Sequence, residues 1–168
     1  GVSVNVPYKL VDDPQFVEGL TGLLKSANVP PGLLTLEVVP AGPGAGSELD
    51  EQILRHVADL GVRLSLDDGG RAASFAAMRV LPLDELKIDA AFVHGLGRSE
   101  TDAALVRGLI EIGHSLGLTV VAEGVETRDA WNVLTAWGCD RAQGFYVASP
   151  RTANELVDWL RGRWPAVA

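Results

Sequence analysis

The chain has 168 residues, is 47% hydrophobic and 21% charged, and carries a net charge of −8 with a single cysteine. That length and apolar content suffice for one sizeable core, and the acidic balance argues against a broad surface for a nucleic-acid polymer. No apolar run reaches the roughly 18 residues that suggest a membrane span, and lone Cys139 excludes an internal disulfide and makes the reducing cytoplasm the expected compartment. "GVSVNVPYKL" lacks the basic start and long apolar core of a secretion signal. It enters directly into a strand-like pattern, which suggests a start inside a longer protein.

In chain order, "VSVNV" (2–6) and "LLTLEVV" (33–39) are the first two strand candidates. "PAGPGAGSE" (40–48) reads as a flexible loop within one domain spanning residues 1–168. A helix follows from Ser47 to Leu60, with Leu49, Ile53, Val57 and Leu60 on one face and a capping box at Ser47 and Asp50. Next come the strands "VRLSLDD" (62–68) and "ELKID" (85–89), then a helix from Thr101 to Leu116 whose expected inner face is Leu105, Leu109, Ile112 and Leu116. "LTVVAEG" (118–124) and "RAQGFYV" (141–147) complete the strands, and Thr152 with Glu155 forms a second capping box. Gly61, Gly117 and Gly138 sit where helices should end. The strands read as near-continuous apolar runs, which predicts parallel strands covered on both faces. Six alternations of strand and helix make an α/β fold, which either a doubly wound sheet or a barrel satisfies.

The polar residues are not scattered. At or near the C-terminal end of each strand stands one that can bind metal, phosphate or a proton: Asn5, Glu37, Asp67 with Asp68, Lys87, Glu123 and Gln143. Each has an ordinary explanation: Asp67-Asp68-Gly69-Gly70 can be turn chemistry, Asn5 can start a turn, Lys87 can snorkel. Six together point to one shared site, because the strand ends of a barrel meet on one rim. Carboxylates and an amide oxygen without clustered histidine make a hard site suited to Mg²⁺ or Mn²⁺ rather than Zn²⁺. Two such ions would clamp the attacking and leaving oxygens of a phosphoester, with Lys87 beside a developing oxyanion or an activated water. His56, His94 and His114 fall on helical or loop segments and are expected at the surface or in packing. Trp131, Trp137, Trp159 and Trp164 are expected to pack the C-terminal helices.

"SVNV" (3–6), "LTLEVV" (34–39), "LGVRLSLDDGG" (60–70), "LPLDELKIDAAFV" (81–93), "LGLTVVAEGVET" (116–127) and "GCDRAQGFYVASP" (138–150) run in one order. In that order and spacing the chain resembles the EAL domain family of cyclic di-GMP phosphodiesterases. The resemblance implies a parallel (β/α) TIM-type barrel, here incomplete: six βα units are present and the N-terminal strands bearing the Glu-Ala-Leu segment are missing. It also implies a two-metal Mg²⁺ or Mn²⁺ site acting on cyclic di-GMP. Asn5, Glu37 and Asp67 then correspond to ligands of the first metal, and Asp67 and Asp68 to ligands of the second. Lys87 corresponds to the residue that positions the attacking water, with Glu123 and Gln143 completing the metal and water shell. Glu126 matches the second glutamate of "EGVE", a position that a helix-start carboxylate explains equally well.

The departures bear on activity. The family's "DDFGTGYSSL" reads "DDGGRAASFA", placing Gly69, Arg71, Ala72 and Ala73 where Phe, Thr, Gly and Tyr are usual, and the loop-steadying glutamate of "ExxE" is Pro40. "KIDRSF" reads "KIDAAF", without its arginine. Loss of such support commonly costs 10–100-fold in metal affinity or activity. The expectation is therefore a degenerate, non-catalytic EAL module that binds cyclic di-GMP or a protein partner. The alternative is an active Mg²⁺- or Mn²⁺-dependent phosphodiesterase when the upstream strands are present. The open barrel edges at "VSVNV" and "RAQGFYV" are further expected either to pair with a second copy or partner chain or to close on each other, covering Val2, Val4 and Val6.

Overall fold

The computed structural model describes residues 1–163 apart from 12, 14, 40–47 and 71. Six strands form one sheet: β1 (Val2–Val6), β2 (Leu34–Val38), β3 (Arg63–Gly69), β4 (Glu85–Ile88), β5 (Thr119–Ala122) and β6 (Arg141–Ala142). Their order is β1-β2-β3-β4-β5-β6, and every pairing is parallel. The helices are α1 (Tyr8–Val11), α2 (Phe16–Ser26), α3 (Glu48–Asp59), α4 (Ala72–Val80), α5 (Ala90–Val93), α6 (Glu100–Ser115), α7 (Arg128–Ala136) and α8 (Ala153–Arg163). Sequential parallel order is the barrel solution rather than the doubly wound one, whose strand order reverses at a switch point.

The curl can be argued from two side chains. Glu37 on β2 and Glu123 just after β5 each lie 2.6 Å from Lys87 Nζ, so their oxygens are at most twice that distance apart. Across a flat sheet those strands would stand roughly 14 Å apart. The sheet is therefore curled about Lys87. It is also open, since β1 and β6 occupy its two margins and do not pair with each other. The expected closure of the sheet on itself is not what forms. At the β1 margin Val6 is 8% exposed, but Val2 and Val4 are 61% and 46% exposed.

The strands are not apolar on both faces, as their composition suggested. Leu36, Val38, Leu64, Leu66, Leu86, Ile88, Val120 and Ala122 are buried on the helix side. Leu36, Val38 and Leu64 share a cluster with Ile53, Leu54 and Val57 of α3, and Ile88, Val120 and Ala122 share one with Val106, Leu109 and Ile110 of α6. Each such aliphatic side chain contributes on the order of 1.5–3 kcal/mol. The alternate positions, Glu37, Ser65, Glu85 and Lys87, are buried and polar. The apolar density of the sequence comes mainly from the helix side, with Val121, the register partner of Lys87, as a buried apolar residue on the inner face, and the curl shelters that face.

Two local expectations shift. In α6 the buried residues are Val106, Leu109, Ile110 and Gly113, whereas Leu105, Ile112 and Leu116 are 45%, 39% and 52% exposed. The reason is a close approach. A Cβ at Gly113 would stand 2.4 Å from Val120 Cγ2, so the helix rests on β5 through its glycine and the leucine stripe rotates outward. The sixth strand is also shorter than expected. After Gln143 N–H donates to Ala122 O, the chain turns, and Tyr146 N–H bonds Val125 O instead of extending the ladder.

The stop and start signals behave as written. Gly61, Gly117 and Gly138 have φ of 86°, 75° and 78° at helix ends. Glu155 Oε2 accepts from Thr152 N–H at 2.8 Å. The loop from Pro40, the Ser47 cap, Arg71 and Trp164 lie outside the described residues. Among the tryptophans, Trp137 packs against the core and Trp159 is half-buried beneath the Arg151 guanidinium, but Trp131 is 39% exposed beside Tyr146. No helix among the described residues is long and apolar enough to cross a membrane.

Candidate functional site

The C-terminal ends of the strands gather the predicted residues on one rim. Asn5 and Glu37 are register partners on β1 and β2, and Lys87 on β4 is two residues beyond Glu85, the register partner of Ser65. Asp67 lies two residues beyond Ser65 on the same strand face. Glu123 and Gln143 follow β5 and β6 directly. The alternation of strand side chains thus places Glu37, Asp67 and Lys87 on the polar inner face.

Lys87 is the centre. Its side chain is 4% exposed and its ammonium donates to Glu37 Oε2 at 2.6 Å and lies 2.6 Å from Glu123 Oε1 and 3.7 Å from Asp67 Oδ1. One positive and three negative charges leave a local excess of two negative charges. Burial alone pulls the Lys87 ammonium towards deprotonation, but the hydrogen bonds to Glu123 and Glu37 and the charges of Glu123 and Asp67 outweigh it and hold it well above its ordinary value. Burial pushes the Glu123 carboxyl up; Lys87 opposes this, and the nearby Asp67 and Glu37 charges add to it. Glu123 is the more exposed of the cage carboxylates, at 22%.

Asp68 is placed by an irregularity. The register of β3 against β4 slips between Leu66 and Gly69, and Asp68 has φ of 55° with its N–H donating to Asp67 Oδ1 at 3.0 Å. Such a bulge re-aims the chain, and aspartate tolerates the left-handed region better than most residues. Gly69, where the family's phenylalanine stands, meets Lys87 O so closely that a Cβ would lie 2.3 Å from it. Asn5 and Gln143 reach the rim at its opposite margins and are exposed. The structure therefore brings Glu37, Asp67, Lys87 and Glu123 into contact, sets Asp68 beside them, and leaves Asn5 and Gln143 outside that contact.

Sequence reasoning missed a second polar layer beneath. Ser65 Oγ donates to Glu85 Oε1 at 2.8 Å, and Arg141 Nη1 bonds Glu85 Oε2 at 2.7 Å. The period-two placement of Ser65, Glu85 and Lys87 carried that signal, overshadowed by the flanking leucines. Glu126 is 51% exposed and stands 3.7 Å from His94 Nε2, directly before Thr127, whose hydroxyl caps α7 by accepting from Ala130 N–H. That favours the helix-start reading of Glu126. The other histidines are surface groups, His114 Nε2 lying 2.9 Å from Asp140 Oδ2.

No cluster of three histidine, cysteine or acidic residues in metal-holding geometry forms among the described residues. The donor chemistry nonetheless fits a hard divalent cation. Three carboxylates converge on one point, their charge is only partly balanced, and no sulfur or imidazole competes. What fills that point here is the Lys87 ammonium.

The EAL domain family model matches residues 1–150. The chain belongs to the EAL domain family. It is 31% identical to the cyclic di-GMP phosphodiesterase PA2567 of Pseudomonas aeruginosa over 161 residues, covering 95% of this chain and 27% of that protein. The chain thus spans about a quarter of that curated relative. It resembles the crystal structure of the EAL domain of Mycobacterium smegmatis DcpA at 34% identity and a TM-score of 0.89, covering 95% of this chain and 72% of that one. It resembles the Klebsiella pneumoniae BlrP1 manganese/cy-diGMP complex at 29% identity and a TM-score of 0.77, covering 85% of this chain and 37% of that one. This EAL domain is thereby related to cyclic di-GMP phosphodiesterases, and its six-stranded open sheet is an incomplete version of their barrel.

Proposed function

We propose that this EAL domain is a receptor module for cyclic di-GMP, binding the dinucleotide through a hard divalent cation without turning it over as a stand-alone chain. The observation that carries the reading is the convergence of Glu37, Asp67 and Glu123 on one point of the rim with an excess of negative charge. An acidic pocket in an acidic protein repels a phosphodiester unless cations intervene. Asn5, Glu37, Asp67 and Asp68 would hold Mg²⁺ or Mn²⁺, which neutralises phosphate oxygens and, in a two-metal site, activates water for in-line displacement. Lys87 contributes a fixed positive charge on the same face. Glu123 and Gln143 would orient the water nearest the metal.

The non-catalytic part of the reading is supported at Gly69. Lys87 O and Leu86 Cδ1 fill the space a side chain would need there, so the "DDGG" segment takes a path that the usual phenylalanine could not. Positioning errors of about 1 Å commonly cost on the order of 100-fold in rate. The second reading, hydrolysis to the linear dinucleotide, is favoured by the presence of Asn5, Glu37, Asp67, Asp68, Lys87, Glu123 and Gln143 together. A second copy or partner chain along the exposed Val2–Val4 margin belongs with either reading.

Calorimetry with cyclic di-GMP and Ca²⁺, followed by product analysis with Mg²⁺ or Mn²⁺, tests the proposal. Binding in Ca²⁺ that is lost in chelator, with no linear product, is the expected result. A linear product selects hydrolysis instead, and no binding with any cation overturns both.

A further inference from the structure

We infer that Glu85 and Arg141 are positioning residues of the rim: their ion pair, steadied by Ser65, ties the last strand to β4 and so fixes Gln143 beside Glu123. The tie stands on its own geometry; its effect on ligand binding rests on the receptor reading above.

β6 has little else to hold it. It is two residues long, lies at a margin of the sheet, and pairs with β5 only at Val121↔Arg141 and Ala122↔Ala142. Just beyond it, the Gln143 N–H donates to Ala122 O at 2.8 Å and the Gln143 carbonyl accepts from Val125 N–H at 3.0 Å. Segments with so few contacts open locally at low cost, and opening here would carry Gln143 off the rim.

The support comes from two strands away. Arg141 Nη1 donates to Glu85 Oε2 at 2.7 Å, and Ser65 Oγ donates to Glu85 Oε1 at 2.8 Å. Glu85 is the register partner of Thr119 and Arg141 that of Val121, so the ion pair crosses β5 diagonally. One carboxylate thus uses both oxygens to join β3, β4 and β6, although the backbone ladder does not join β4 to β6. The two ends of the pair differ in burial: the Glu85 side chain is 10% exposed and that of Arg141 52%. Exposed ion pairs contribute little, but an opening that strands a buried carboxylate without its cation is penalised. Fraying of β6 carries that penalty, and Gln143 gains the benefit.

The tie has a counterpart one inner-face position further along β4. There Lys87 joins Glu37 of β2 to Glu123 at the end of β5. Glu123 is therefore located by residue 87 of β4 and Gln143, through Arg141, by residue 85. The two groups assigned to the water nearest the metal take their spacing from one strand.

Amide hydrogen exchange separates this role from overall stability. Arg141→Met, which keeps the apolar stem, and Glu85→Gln are compared with wild type at Gln143 and Val125, and at Leu109 and Ile110 on the buried face of α6. Both variants are expected to speed exchange at Gln143 and Val125 about tenfold or more, while Leu109 and Ile110 change less than about threefold. Combined, they are expected to do no more than either alone, because the two residues act as one pair. Arg141→Lys, whose ammonium can make the single bond to Glu85, is expected to restore protection to within about threefold of wild type. Should Glu85→Gln prevent folding, Arg141→Met and Arg141→Lys decide between them. In Ca²⁺, cyclic di-GMP is expected to bind about equally more weakly to Arg141→Met and to Gln143→Ala, and no more weakly to the double variant. Equal acceleration at all four amides marks a general loss of stability and overturns the proposal. Unchanged exchange at Gln143, a lysine variant no better protected than the methionine one, or additive losses of binding overturn it as well. Failure of cyclic di-GMP to bind the wild-type chain in Ca²⁺ overturns the receptor reading while the exchange comparison still decides the tie, so the two fail separately.

Discussion

Replacing Gly69 by alanine sets a methyl group against backbone rather than against a side chain that can rotate away. Its Cβ would lie 2.3 Å from Lys87 O, 2.8 Å from Leu86 Cδ1 and 3.2 Å from Lys87 C. Gly69 is not among the residues with positive φ, so the cost is steric and not torsional. The leucine tip can yield, but the Lys87 carbonyl belongs to β4, which is tied to β3 through Leu66↔Leu86 and to β5 through Lys87↔Val121. Relief requires β4 to move off β3 by roughly 1 Å, and overpacking of that kind costs about 1–3 kcal/mol. The bond from Asp89 N–H to Gly69 O, already 3.4 Å long, would go with it, adding about 1 kcal/mol. The expected loss is about 2–4 kcal/mol, read as a lower urea midpoint at unchanged m-value. Because the moving residue is Lys87, Mn²⁺ binding should weaken in the same variant. Gly108→Ala in α6, where a Cβ meets nothing within 4 Å, should move the midpoint the other way by about 0.5–1 kcal/mol. A Gly69→Ala loss below about 0.5 kcal/mol would refute the close approach of β3 to β4 on which this reasoning rests.

Leu134→Ala removes a side chain 2% exposed in the cluster shared by Val93, Val106 and Ala130; it should cost about 2–5 kcal/mol, and a melting temperature within a degree of wild type would contradict the packing of α7. Burial pushes the Asp140 carboxyl up, but the Val120 N–H, His114 and Arg141 outweigh it and hold it below its ordinary 3.8. A depressed carboxylate stabilises the fold above the unfolded value, and that stabilisation is lost as pH falls through the lower folded value. Asp140→Ala should therefore melt lower than wild type at pH 7, with the gap narrowing below pH 3.8; because the side chain is 41% exposed, solvent screening limits the gap to roughly 1 kcal/mol or less. A gap that stays constant across that range would show that the carboxylate's charge is not what stabilises.

How much of this was readable beforehand depended on range. β1 was delimited to the residue, and β2 through β5 to within two residues at either end, because strand boundaries follow local apolar runs and glycine stops. The inner face of α6 was misjudged because both stripes, Leu105 with Ile112 and Val106 with Ile110, have helical period. Which one is buried depends on how closely Gly113 lets the helix approach Val120, a tertiary fact. The rim residues were identifiable from their shared position at strand ends. Their mutual contacts were not, since Lys87 and Glu37 are 50 residues apart and meet only through the curl of the sheet. Glu85 and Arg141 escaped notice for the same reason, 56 residues separating the partners of that ion pair.

The distribution of charge along the rim has a consequence for how the site breathes. The two neutral amides, Asn5 and Gln143, belong to the marginal strands, whereas Glu37, Asp67, Lys87 and Glu123 belong to β2 through β5. Marginal strands have one hydrogen-bonded neighbour and open at the lowest free-energy cost. Fraying of β1 therefore withdraws only an amide, and fraying of β6 withdraws Gln143 and the Arg141–Glu85 pair, while either leaves the contacts of Lys87 whole; loss of an inner strand would strip Lys87 of a counter-charge. Fluctuations at the margins thus spare the three carboxylates around Lys87, and the charged centre of the site is insulated from the least stable part of the sheet that carries it.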